Sequence, residues 1–135
     1  MSTFTMKHAP RAALITLALT VGLSKAFASA SDYQFQLVQN QVKKADAATI
    51  TVRLIDKRTG KNVPNAVIFT ERLDMSPDGM AAMTSSVQPM PSTEPGLYPF
   101  KADLSAPGGW RLSLAAKVQG EADTITGKLD FKAIP

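Results

Sequence analysis

The chain contains no cysteine and a single histidine, His8. The first absence excludes a disulfide framework and, with only one imidazole to help, every zinc site of the Cys/His kind. The missing cysteine also removes the most reactive nucleophile, and the lone histidine leaves a single copy of the commonest general base. Serines and lysines are present, but no spacing marks a Ser–Lys pair. The carboxylates fall in turns and at outward strand positions. A hydrolase built on paired acids needs two of them facing one cleft, and a small domain leaves little room for it. No enzyme is expected, and no catalytic residue is assigned. For calcium, Asp74, Asp78 and Glu94 make only a thin group.

Long hydrophobic runs are scarce as well. The apolar stretch AALITLALTVGL, Ala12 to Leu23, has twelve residues, short of the roughly 20 that a spanning helix requires. It follows Lys7 and Arg11 and precedes SKAFASA, whose Ala28 and Ala30 suit a signal-peptidase site. Residues 1–30 therefore read as a signal peptide, cut after Ala30 or alternatively after Ala28. Residues 31–135 then form one exported domain, expected in a bacterial periplasm. A retained N-terminal anchor is the alternative; otherwise no membrane span is expected after cleavage.

Removing the leader also removes most of the positive charge. Lys7, Arg11 and Lys25 account for three of the fifteen basic residues, which leaves twelve against eleven acidic ones. No basic run exceeds two residues and no aromatic interleaves with one, so nucleic acid is not an expected partner. His8 lies in the leader too. About 105 residues remain, enough for one small core held by burial alone.

What is present is alternation with period two. Ile50, Val52 and Leu54 share one face of TITVRLID, and Trp110, Leu112, Leu114, Ala116 and Val118 share one face of WRLSLAAKV. Ile125, Leu129 and Phe131 repeat the device, as do Tyr98, Phe100, Ala102 and Leu104, although Pro99 points to an irregular or edge segment there. Turn signals separate these runs: KRTGKNVPN, SPDG, PSTEPG, SAPGG and QGEAD. No stretch beyond residue 31 shows helical periodicity, and AAMTSS could make one turn at most. The pattern predicts an all-β chain, a single Ig-like antiparallel β-sandwich of about seven strands. Trp110 reads as a core residue.

One segment stands apart chemically. DMSPDGMAAMTSSVQPM, Asp74 to Met90, carries Met75, Met80, Met83 and Met90. A thioether is soft and uncharged, so such a set suits Cu(I) or Ag(I) rather than hard cations. Met80 and Met83, separated by two residues, could reach one ion from a turn, with Met75 and Met90 approaching from the flanking strand ends. Methionine is equally an adaptable packing residue, and a loop folded over the end of a sandwich would bury several. Both readings stand at this point.

The block TVRLIDKRTGKNVPNAVI, Thr51 to Ile68, resembles the opening strand pair of YtkA-like and FixH-like domains. PGLYPFKADLSAPGGWRLSLAAKV, Pro95 to Val118, resembles their second half, and the methionine-bearing segment lies between the two. The resemblance covers roughly residues 45 to 120. It implies an extracytoplasmic Ig-like domain linked to copper and heavy-metal handling or efflux. Its expected partner is a membrane-bound metal transporter or its periplasmic adaptor. The chain departs from FixH proper in lacking a membrane helix of spanning length, and from many copper carriers in lacking histidines beside the methionines. The competing expectation is a metal-free structural or protein-interaction module of the cell envelope, in which an edge strand makes the contact.

Overall fold

In the computed structural model, which describes residues 29–135, two five-stranded sheets pack face to face. The strands are β1 (Tyr33–Leu37), β2 (Gln41–Lys43), β3 (Ala48–Asp56), β4 (Lys61–Asn62) and β5 (Val67–Met75), then β6 (Met80–Ser85), β7 (Val87–Pro89), β8 (Leu97–Ala102), β9 (Gly108–Lys117) and β10 (Ile125–Ile134). One sheet runs β1-β3-β8-β7 with β4 added to β3; the other runs β2-β10-β9-β5-β6. Seven of the ten strands have five or more residues, where the sequence leads to an expectation of about seven strands in all. Every pairing is antiparallel except β2 with β10, which is parallel. The signal-peptide reading falls outside the described residues.

The alternating residues meet between the sheets. Ile50, Val52 and Leu54 of β3 and Leu112 and Ala116 of β9 are each at most 1% exposed. Phe100 fills the β8 side and Phe131 the β10 side of the same core. Trp110 is buried among them, and its indole Nε1 donates to the Ala106 carbonyl at 3.0 Å, so the buried N–H is satisfied. Leu129 stays half-buried, packed against the core from its margin.

Pro99 sits in β8, which lies between β3 and β7 rather than at an edge. The Pro99 carbonyl accepts from the Met90 N–H at 2.9 Å, just past the end of β7. A residue in an antiparallel ladder directs its N–H and C=O to the same side. The donor that proline lacks is therefore one that β7 has already ceased to need.

The Asp74–Met90 segment is more regular than a turn-rich connection. It closes β5, makes a 3-10 turn at Ser76–Asp78, and forms β6 and β7. Gly79, at φ 73°, takes the left-handed position that ends the turn and starts β6. AAMTSS thus belongs to a strand, where the sequence allowed at most a helical turn. β6 escaped notice because its residues Met80 to Thr84 are all exposed, which leaves no period-two signal.

Candidate functional site

β6 is an edge strand of the β2-β10-β9-β5-β6 sheet, and it contains no charged residue. Its pairing with β5 is interrupted. Leu73 and Asp74 face Ser85 and Thr84, but Met75 faces Met80. Two adjacent residues of β5 thus hold residues 80 and 84, which in a regular strand would be about 13 Å apart. Ala81, Ala82 and Met83 form a bulge between those anchors. Met80 is the anchor before it and Met83 its last residue, 41% and 48% exposed.

The four methionines divide three ways. Met75 is a core side chain, 2% exposed, and its terminal methyl lies 3.0 Å from the place a side chain on Gly108 would occupy. It takes the packing role, because Leu73 and Met75 alternate inward at the end of β5. Met90 follows β7 on the other sheet, 38% exposed, beside Ala66, Val67, Pro89 and Tyr98 at the side of the sandwich. Only Met80 and Met83 share a strand and a bulge. The structure therefore does not assemble all four sulfurs at one surface point.

Polar residues that the sequence reading passed over hold the bulge in place. Asp74 is only 5% exposed. Its carboxylate accepts from the Ser76 N–H at 2.9 Å, from the Ser76 hydroxyl, and from Arg72 Nε at 2.9 Å. Arg72 Nη2 in turn donates to the Ala81 carbonyl inside the bulge at 3.0 Å. Asp74 therefore reaches β6 through Arg72. The Ser76 hydroxyl, its N–H and Arg72 hold the Asp74 carboxyl below the usual carboxylate range, against the opposing effect of burial. The available signal was the Asp-x-Ser spacing of a side-chain-capped turn together with Arg-x-Asp on one strand face.

Asp74 also belongs to a charged row across the outer face of its sheet. It is the register partner of Arg111, which is the partner of Asp130. Arg111 grips Asp130 with two bonds, 2.7 Å from Nε and 3.1 Å from Nη2, and this lowers the Asp130 pKa. The calcium group does not form. Asp74 is committed to Ser76 and Arg72, and Asp78 accepts from the Gly109 N–H at 2.9 Å. Among the described residues no cluster of three His, Cys, Asp or Glu could hold a metal.

Elsewhere, Tyr33 donates to Glu121 Oε1 at 2.7 Å and lies 5.8 Å beneath the Arg58 guanidinium. Burial first, then the Glu121 bond, push its phenol up to about 12. This group ties β1 to the β9–β10 connection. Among the described residues no helix is long and apolar enough to cross a membrane.

The sequence matches the YtkA-like family over residues 27–115. The chain belongs to the YtkA-like family. The match includes both blocks that carried the resemblance up to Ala115, and the whole methionine-bearing segment. It stops before β10, the strand that completes the centre of the second sheet. No curated protein matches the chain. Among solved structures, the ZirS C-terminal domain aligns at TM-score 0.44 and 14% identity, covering 100% of this chain and 87% of that one. The Lin-41 filamin domain aligns at 0.43 and 19%, covering 72% and 92%. A conjugative transposon lipoprotein from Bacteroides eggerthii DSM 20697 aligns at 0.34 and 13%, covering 74% and 96%.

Proposed function

We propose that this YtkA-like domain is a periplasmic, non-enzymatic accessory protein for copper or heavy-metal handling. Met80 and Met83 offer thioethers to Cu(I) or Ag(I), and a membrane-bound transporter or its periplasmic adaptor receives or delivers the ion. The observation that carries this reading is the exposure of both residues at one bulge on an uncharged edge strand. Exposed methionine forgoes the hydrophobic gain that a packing residue obtains by burial, and the thioether's softness matches a monovalent ion of the same character. Two neutral sulfurs give modest affinity and fast exchange, which suits a carrier that hands its ion on.

Met90 is a third thioether with partial exposure, held on the neighbouring sheet. Met75 supports the site from below as the register partner of Met80. Titration with Cu(I) against a competing chelator tests the reading, comparing the 31–135 sandwich with a variant in which Met80 and Met83 are leucine. Tighter binding by the unsubstituted protein is expected, and equal affinity in the two would refute the metal role.

A second reading rests on the same strand. An exposed edge without charge is a ready place for another chain to add a strand. In that metal-free module the methionines would be adaptable contact surface. The bulge opposes it, because three residues of β6 are out of ladder geometry. Retention of partner binding in the leucine variant, with no metal effect, would favour this module.

A further inference from the structure

We propose that the outer face of the β2-β10-β9-β5-β6 sheet docks on an anionic phospholipid surface, a role independent of the metal reading. Outward strand positions of this face carry Lys43, Arg72, Arg111, Lys117, Lys128 and Lys132, against two acids, Asp74 and Asp130, while the turn residue Asp78 lies over Gly109, the register partner of Lys132. Both acids are already used: Arg72 pairs with Asp74 and Arg111 with Asp130. Among the described residues no carboxylate forms an ion pair with any of the four lysines. Lys117 gives one bond to the Ala122 carbonyl and keeps its charge. The face therefore presents four lysines without an ion-pair partner among the described residues, with the Asp78 carboxylate at one end.

Thr70, Ser113, Ala115 and Thr126 floor a shallow hollow of about 460 Å³ beside Lys128. Three of these four are hydroxyl residues, able to donate to phosphate oxygens. At the margin, β5 shifts register between Ile68 and Thr70, so that Phe69 and Thr70 together oppose Ala115. Phe69 is 54% exposed, and Val67, the partner of Lys117, is 63% exposed. Lysines around an exposed aromatic and aliphatic pair suit the bilayer interface, where headgroup attraction and shallow apolar insertion act together.

The kind of cation decides between a lipid surface and an acidic protein. Protein contacts favour arginine in their cores and are depleted in lysine. On this face both arginines are neutralised within the sheet, and every remaining cation is a lysine. Lysine is a hydrated point charge on a flexible stem, suited to a diffuse anionic field rather than a fixed fork.

Residues 31–135 contain every described strand and all the buried residues of the described core, so this sandwich is the protein to use. Sedimentation with phosphatidylcholine vesicles containing about 30% phosphatidylglycerol should show binding that weakens as salt rises, and pure phosphatidylcholine should bind far less. Changing Lys43, Lys117, Lys128 and Lys132 together to glutamine should weaken partition by about 100-fold or more. Phe69→Ser should weaken it by roughly tenfold. Lys101→Gln, on the other sheet, should leave it unchanged, and circular dichroism should show each variant folded. Equal binding to neutral and anionic vesicles, or an unaffected quadruple variant, overturns the proposal. Capture of soluble polyglutamate with no vesicle binding also overturns it and gives the face to an acidic protein.

Discussion

Met75 and Met80 are register partners across the β5–β6 hairpin, yet the first is 2% exposed and the second 41%. The strand edge thus separates packing sulfur from presented sulfur within one pair. Brief treatment with hydrogen peroxide should therefore oxidise Met80, Met83 and Met90 well before Met75. Peptide mass mapping reads the order, and early oxidation of Met75 would contradict its placement.

The two methionines should also differ in their weight on stability. Met75→Ala opens a cavity against Gly108 and should cost about 2–4 kcal/mol. Met83→Ala, on the exposed bulge, should stay within about 0.5 kcal/mol. Urea unfolding of the two variants measures the contrast.

Asp74 gives the fold an acid-sensitive joint. Its folded-state pKa is lowered by the Ser76 bonds and Arg72, so its contribution is present above the unfolded carboxylate value. It is lost as pH falls from that value through the lower folded one. Asp74→Asn should lower stability at neutral pH by about 2 kcal/mol. It should also flatten the decline of stability below about pH 4. Because Arg72 joins Asp74 to Ala81, the same variant should broaden the Met80 and Met83 methyl resonances.

Tyr33 behaves in the opposite sense. Its phenol is raised to about 12, so the neutral form is favoured in the folded protein. The stability it contributes is complete below the ordinary tyrosine value near 10 and is lost as pH rises from there through 12. Tyr33→Phe should remove that alkaline dependence. Burial raises the Tyr98 phenol as well, so absorbance titration should show both tyrosines ionising above the ordinary value, and Tyr33→Phe should remove the component near 12.

Gly127 occupies an inward position of β10 opposite Leu114. A Cβ there would stand 2.7 Å from Phe35 Cδ2, so the glycine makes room for the β1 aromatic. Gly127→Ala should destabilise by about 1–3 kcal/mol, and Phe35→Leu in the same chain should recover part of the loss. Thermal melts of the single and double variants test the coupling.

The core strands were legible because each buries one face: Ile50, Val52 and Leu54, or Leu112, Leu114 and Ala116, announce themselves by period. β6 announces nothing, since burial writes the pattern and no described residue covers Met80 to Thr84. The methionines were legible as chemistry but not as geometry. Met75 belonged to the inward series with Leu73, a short signal masked by the Pro77-Asp78-Gly79 turn that follows. The Asp74–Arg72–Ala81 linkage was hidden for another reason. A side chain that bridges strands depends on the register of a bulge, which no local spacing encodes.

The central claim, soft-metal capture at the β6 bulge, is tested most directly by NMR of methyl-labelled methionine in the 31–135 sandwich during Cu(I) addition. The Met80 and Met83 methyl resonances should shift together at substoichiometric metal while Met75 stays in place. Unmoved Met80 and Met83 resonances at excess Cu(I) would contradict it.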